Sequence, residues 1–414
     1  MFSLGDKYVI GYDISTEYSQ ISFWSSSDET PTTISLVSGS EDYNIPLCLF
    51  KRSEVNQWYY GREAINYNEV EAGQLIFNLW EMALIGDDVK ISGADFDPIA
   101  LLALYIKRSF SLLKNIKMDK IAGIMFTVPE LTRRAIEVLE KVVEVLDLEN
   151  VRISFVGREE SIYYYVINQP RELWKHDAWV YDFSDKYIKG YRFYINRQAK
   201  PSVAFVDRYA TDISQESPDK DERFYETVKS NMEMGIATLA YIIGQGFDEP
   251  WCKNSLREIC RNRRVFKGNN LYSKGACYAM RSKMEDQDVN RSLVFLGKDK
   301  LKVNVGMNVK KAGKESYFAI LDGGQNWYDA KSEFDVILEN GNNFEIELTP
   351  LDGKNKRTVE IILEGLTSRE PKTTRLHFKF FMESDNSLRI CATDMGFGCF
   401  NPTTYQLFSK KIEL

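Results

Sequence analysis

Asp13 closes an apolar run, Tyr8-Val9-Ile10-Gly11-Tyr12, and is followed by the small polar residues Ser15 and Thr16 and by a second strand-like run from Gln20 to Trp24. Two β-rich runs joined by a short polar turn predict a hairpin with a carboxylate at its bend. A carboxylate there can orient a hydrated Mg²⁺, and the turn amides can face a phosphate. An aspartate in a hairpin turn also serves as an ordinary turn residue. The composition recurs once, in WVYDFSDKYIKGYRFYI, where Asp182 stands as Asp13 does and Ser184 follows it. Further on, Gly244-Gln245-Gly246 ends the apolar run Leu239–Ile243, and Gly275 lies in the small-residue helix start Ser273–Ala279. Glycine at such places lets backbone approach a ligand or another element closely. Arg261, Arg263 and Arg264 form a basic cluster, which is either a solvated or salt-bridged face or a phosphate contact.

The chemistry that composition excludes narrows the field. The 414 residues are 44% hydrophobic and 27% charged, as in ordinary globular chains, and a net charge of −7 argues against a nucleic-acid partner. Only His176 and His377 exist, and the six cysteines (Cys48, Cys252, Cys260, Cys277, Cys391, Cys399) contain no C-x-x-C pair. Zinc chemistry and histidine-based nucleophilic catalysis are therefore not expected. With no long apolar run and no charged-plus-apolar leader, the expectation is a cytoplasmic protein without a membrane partner.

The elements that must position the two acids follow from pattern. Asp97-Pro98 caps a helix over Asp97–Leu113, and Ile121–Val128 (IAGIMFTV) is a strand buried on both faces. A helix follows Pro129, with Ala135, Val138, Leu139, Val142, Val143 and Leu146 at 3.6-residue spacing, and then a strand over Val151–Val156. This is a parallel βαβ unit. After the second hairpin, Tyr209–Arg223 reads as a loop, Phe224–Tyr241 as helical and Ser255–Arg261 as a short helix. From Glu285 an acidic stretch, Glu285–Asp288, and an exposed-looking apolar run, Leu293–Leu296, form a linker over 285–300. Beyond it come alternating strands separated by turns such as Asp322-Gly323-Gly324, Asn340-Gly341-Asn342 and Asp352-Gly353, the pattern of an antiparallel sandwich over 301–414. The fold class is thus α/β plus all-β, with an α/β part over 1–284.

Taken in order, these segments resemble the actin-like ATPases and, within them, the 70-kilodalton heat-shock chaperones, over nearly the whole chain. VIGYDISTEYS is similar to the family's first phosphate loop and WVYDFSDKYIKGY to its second. FDPIALLALYIKRSFSLL and IAGIMFTVPELTRRAIEVLEKV resemble its helix and TVP segment, and FVGREESIYYYVI the segment carrying its catalytic glutamate. YIIGQGF and YSKGACYA look like the adenosine-binding glycines and the following helix, LVFLG the interdomain linker, and LEGLTSREPKTTRLHFKFFMESDNSLRICATDMGFG the last strands of the substrate-binding sandwich.

The resemblance implies an actin-like fold of two duplicated βα subdomains followed by a β-sandwich. It also implies ATP or ADP with Mg²⁺ as cofactor. Asp13 and Asp182 would hold the metal through water, with Glu159 as a catalytic acid. Ser15, Thr16, Ser184, Gly244, Gly246 and Gly275 would line the nucleotide, and Lys253 and Arg257, one helical turn apart, would meet the adenine. The implied partners are an extended polypeptide or protein client and a co-chaperone. The departures are chemical. Ser15 and Ser184-Asp185-Lys186 stand where the family has glycines, and no counterpart of its catalytic lysine lies in Phe77–Gly86. Arg158 takes the place of its glutamate, with Glu159 alongside. The segment between the second loop and the glycine turn is short, which predicts a reduced second subdomain, and no helix long enough for a lid follows Phe400. The expected protein is a chaperone-like one with weak nucleotide binding or inefficient hydrolysis. A non-catalytic scaffold and an ATPase with rearranged catalytic residues are the alternatives.

Overall fold

The computed structural model describes residues 6–114, 116–148, 150–198, 201–285, 293–311, 313–351 and 355–414. The acidic run 286–288 and the Asp352-Gly353 turn lie outside them. The chain divides into two compact units, 1–295 and 296–414. The first is mixed α/β and the second all β.

The first unit is built twice from one plan. Its first half runs β1 (Tyr8–Ile14), β2 (Tyr18–Ser25), β3 (Thr32–Thr33), α1 (Pro98–Ser109), β4 (Ile121–Val128), α2 (Arg133–Leu146), β5 (Arg152–Gly157) and α3 (Arg158–Ile167). Its second half runs β6 (Asp177–Asp182), β7 (Tyr187–Asn196), β8 (Ser202–Ser214), α4 (Lys220–Glu233), β9 (Ala237–Ile243), α5 (Lys253–Ile259), β10 (Arg264–Lys267) and α6 (Leu271–Met284). The sheet orders are β5-β4-β1-β2-β3 and β10-β9-β6-β7-β8, with the second strand of each half antiparallel to the first and the last two parallel to it. Asp13 and Asp182 occupy matching positions, next to Gln20 and Thr127 in one sheet and to Lys189 and Ile243 in the other. The halves differ in one large insertion: residues 34–97 join β3 to α1, whereas only 215–219 join β8 to α4.

Local signals account for the elements around the site. Asp97 accepts from the Ile99 amide at 2.9 Å with Pro98 in the first turn of α1, and Thr132 caps α2 through the Ala135 amide at 3.1 Å. All eight residues of β4 are buried, as its uninterrupted apolar run requires.

The two halves exchange their last helices. From α3, Ile162, Tyr163 and Val166 pack with Val180, Tyr191, Leu239 and Tyr241 of the second sheet. From α6, Ala276, Cys277 and Met280 pack with Val9, Met125 and Val156 of the first. The helices cross where a Cβ on Gly275 would lie 2.1 Å from the Ser161 carbonyl oxygen, and α6 meets β1 where a Cβ on Gly11 would lie 2.0 Å from that of Ser273. Glycine at 11 and 275 is fixed by these backbone approaches.

Three expectations are corrected and one strand is added. Residues 209–214 continue β8, and α4 begins at Lys220, so the loop read over 209–223 shrinks to 215–219. The helix read over 224–241 stops at Glu233, because Ala237–Ile243 is an apolar run that the second sheet takes as β9 beside β6. Leu293–Phe295 is not exposed: it forms β11, a parallel edge strand on Ser202–Ala204, with Leu293 and Phe295 buried among the aromatic core. A last strand, Leu407–Glu413, was not read from the sequence, because Lys410-Lys411 interrupts its alternation.

The second unit is a sandwich of two four-stranded sheets. β12 (Val303–Lys311), β13 (Lys314–Leu321), β14 (Lys331–Leu338), β15 (Asn343–Pro350), β16 (Arg357–Ile362), β17 (Thr374–Ser384), β18 (Ser387–Gly396) and β19 (Leu407–Glu413) assemble as β13-β12-β15-β16 and β14-β17-β18-β19. Alternate residues of β17 (Leu376, Phe378, Phe380, Met382) point inward, the period a half-buried strand imposes. Among the described residues no helix is long and apolar enough to cross a membrane.

Candidate functional site

Asp13 and Asp182 face the same interior space, and the side chain between them is Arg158. Its position follows from chain order: Arg158 is the first residue of α3, immediately after β5, at the end of the first sheet where β1 delivers Asp13. The arginine side chain is 0% exposed, Asp13 0% and Asp182 1%. Its guanidinium donates to Ser15 Oγ at 3.0 Å and to Asp182 Oδ2 at 3.4 Å, and lies 3.9 Å from Asp185. Its carbon sits 4.4 Å over the ring of Tyr272, the second residue of α6. The Tyr272 hydroxyl donates to Asp182 Oδ2 at 2.7 Å. Ser184 returns its amide at 2.9 Å, together with its hydroxyl, to the other oxygen of Asp182. Asp185 is held from outside by Lys189.

Charge in this enclosed volume is distributed unevenly. Burial pushes Asp13 up to about 7, against the pull of Arg158, while Asp182 and Asp185 push in the same direction as burial. Among the described residues neither Asp13 oxygen has a hydrogen-bond partner. Burial disfavours the charge on Arg158, but Asp13, Tyr272 and Asp182 more than offset this and hold the guanidinium firmly protonated. Burial likewise pushes Asp185 up, yet Arg158 and Lys189 leave it below its ordinary value.

The remaining sequence candidates are placed as follows. Thr16 sits half-buried in the first hairpin turn, beside the Ser15 amide that donates to the Tyr18 carbonyl at 2.8 Å. Gly244, at φ +97°, would place a Cβ 2.4 Å from the Phe183 backbone, and Gly246 would place one 2.5 Å from the Phe183 ring. Both glycines are thus accounted for by packing against the second hairpin, and Gly275 by the helix crossing. Glu159, half-buried beside Arg158, acts electrostatically on Tyr191 and Arg208. Lys253 and Arg257 lie on the exposed face of α5, which packs through Ser255 onto Asp221 of α4, and neither lines the cleft between the halves. In the basic cluster Arg263 is paired with Glu258, while Arg261 is 73% exposed. Among the described residues no group of three or more acids, histidines or cysteines is arranged to hold a metal ion.

The open part of the cleft lies outside this cluster. It encloses about 340 Å³ and is lined by Glu17, Tyr18, Glu41, Asp42, Tyr43 and Arg62 from the first half, and Gln245, Asp248 and Asn269 from the second. Of its four lining acids, Asp42 is paired with Arg62 and Asp248 with Lys267 at 3.0 Å, and Glu17 and Glu41 are the other two. What sequence reasoning missed is Tyr272: its only signal is a tyrosine at the start of a small-residue helix.

The molecule is therefore a duplicated α/β unit with an ion cluster closing the space between its halves, followed by a β-sandwich. The chain belongs to a family of unknown function, DUF5716, whose C-terminal profile matches residues 30–298. A second profile, a domain of unknown function (DUF8552), matches residues 300–414, so the families meet close to the boundary between the compact units. No curated protein matches the chain.

Proposed function

We propose that this protein is a chaperone-like polypeptide binder whose α/β unit is an actin-like pseudo-ATPase, related to the 70-kilodalton heat-shock chaperones. Two duplicated halves followed by a two-sheet sandwich are the arrangement that this resemblance implies. The observation that carries the non-hydrolysing part is Arg158, fully buried between Asp13 and Asp182. Phosphoryl transfer needs a cradled phosphate with a metal ion held between such carboxylates. Here a guanidinium takes that space, Ser15 and Ser184 are spent on Arg158 and Asp182, and the outer cleft presents Glu17 and Glu41 to an incoming anion. The side chains present do not fit Mg·ATP.

The polypeptide-binding part is supported by the sandwich. Among the described residues strands β13, β14, β16 and β19 are paired on one side only, and they expose Tyr317, Phe318, Ile337, Ile362 and Leu407. Between β16 and β19 a groove of about 230 Å³ is lined by Phe344, Ile361, Leu363, Ile390, Ala392 and Phe408, with Glu364, Ser409 and Lys410 at its polar side. An extended segment added at an open edge gains backbone hydrogen bonds, with alternate side chains entering such a groove.

One experiment tests both parts: fluorescence anisotropy of a labelled extended apolar peptide with the full chain, with and without millimolar Mg·ATP. Peptide binding is expected, with a Kd unchanged within about twofold by nucleotide, since coupling requires differential binding to two states. Absence of peptide binding sinks the chaperone-like reading. A tenfold nucleotide effect that Asp13→Asn abolishes restores the ATPase.

A further inference from the structure

The two halves of the first unit are joined by a cation that belongs to one and counter-charges that belong largely to the other. Arg158 is carried by α3, at the end of the first half's β5. Ser15, from the first half, takes one of its nitrogens at 3.0 Å. Asp182 and Asp185, from the hairpin turn of the second half, lie 3.4 and 3.9 Å away, and Tyr272 closes its open face at 4.4 Å. Tyr272 is itself fixed by its bond to Asp182. Further polar contacts follow the same seam: Gln20 of β2 donates to the Asn269 carbonyl at 2.5 Å, Ser22 to Ser273 at 2.9 Å, and Asn270 to Thr33 at 3.0 Å.

We propose that Arg158 is a built-in cation that latches the two halves in one closed arrangement, so that the unit needs no bound ligand to stay shut. The latch rests on reading the cleft as non-hydrolysing. Any hinge motion that separates the two hairpin turns must break the guanidinium either from Ser15 of the first or from Asp182 and Asp185 of the second. A planar fork suits this task, because it serves Ser15 and Asp182 from two nitrogens while its face remains free to lie on an aromatic ring. Removing the side chain leaves Asp13, Asp182 and Asp185 around an empty volume of guanidinium shape. That volume should accept a small planar cation.

Chemical rescue in the full chain tests this without nucleotide or peptide. Arg158→Ala is expected to lower Tm by roughly 5–15 °C, the scale for breaking one side of a buried ion cluster. It should also speed amide exchange across residues 182–189 at least about tenfold, as the closed arrangement opens more often. Guanidinium chloride at roughly 10 mM, far below denaturing levels, should then raise the variant's Tm by several degrees, leave the wild type unmoved, and not be matched by NaCl, which screens without filling the site. Unchanged exchange, or a rescue that NaCl reproduces, overturns the latch. If Arg158→Ala does not accumulate, Arg158→Lys decides: it keeps the charge and loses the fork, so exchange over 182–189 must rise, and a wild-type rate overturns the proposal. Efficient ATP hydrolysis by the wild type with rescue intact would overturn the pseudo-ATPase reading and leave the latch standing.

Discussion

The Tyr272 hydroxyl and the Arg158 guanidinium converge on one oxygen of Asp182, at 2.7 and 3.4 Å, from opposite ends of the chain's duplication. Arg158 starts α3 and Tyr272 lies in the first turn of α6, the two exchanged helices. Tyr272→Phe keeps the ring under the guanidinium and removes one of the donors that compensate a buried carboxylate. The expected loss is about 1–3 kcal/mol, the cost of leaving a buried acceptor short of a partner. Urea unfolding followed by circular dichroism measures it, and an unchanged midpoint would mean that the hydroxyl is dispensable.

Asp13 makes stability in the first unit depend on pH near neutrality. Its carboxyl rises from an ordinary 3.8 to about 7. Burial acts on it most, followed by Arg158 from α3 and Asp182 and Asp185 from the second hairpin turn, and Tyr18 of β2 faces it as a neutral phenol. Because the folded pKa is raised, the folded state binds the proton more tightly than the unfolded chain. The resulting stabilisation is complete below about pH 4 and is lost as pH rises to about 7, worth roughly 4 kcal/mol if fully expressed. Asp13→Asn cannot titrate, so its stability relative to wild type should grow from pH 4 to pH 7. A difference that stays flat across that range would mean that Asp13 is ionised throughout.

How much was legible in the sequence depended on whether the signal was local. Asp13 and Asp182 were found as a pair because each ends an apolar run before a small polar turn. β4 and α2 were found because their periods are unambiguous. The boundary of α4 was missed because the apolar run 237–243 follows the helical residues 224–233 after only three positions and reads as their continuation. The sheet takes the second part, since β9 is buried beside β6. Arg158 was visible as a residue in an unexpected place, but its burial was not, because its counter-charges lie 24 and 27 positions away in Asp182 and Asp185. The glycines misled in another way. Gly244, Gly246 and Gly275 look the same in sequence whether a ligand or a neighbouring backbone comes close, and here the neighbours are Phe183 and Ser161.

Gly275→Ala sets helix propensity against packing. In an exposed helix interior the change stabilises by about 1 kcal/mol. Here the new Cβ would stand 2.1 Å from the Ser161 carbonyl oxygen and 2.7 Å from its carbon, both backbone atoms of α3. The helices must part, which disturbs the core they share with the two sheets. The expected result is a net loss of roughly 1–3 kcal/mol or more, of the size seen on overpacking a tight site. A gain in thermal stability would show that the crossing is looser than described.

In the sandwich the corresponding buried pair is Arg369 with Asp394. Two parallel bonds of 2.7 Å join them, with side-chain exposures of 5% and 0%. Burial pushes the Asp394 carboxyl up, but Arg369, Thr404 and the Gly396 amide together hold it far below the usual carboxylate range. Its stabilisation is therefore present above about pH 4 and is lost as pH falls through the strongly acid range. Arg369→Ala leaves the carboxylate buried without its cation and should cost roughly 3–5 kcal/mol at pH 7. The cost should shrink below about pH 3, because Asp394 in the variant takes up a proton that its loss of Arg369 now permits. Urea midpoints of wild type and variant at pH 7 and pH 3 separate the causes. A gap that narrows identifies uncompensated charge, and a constant gap assigns the loss to packing of the arginine stem.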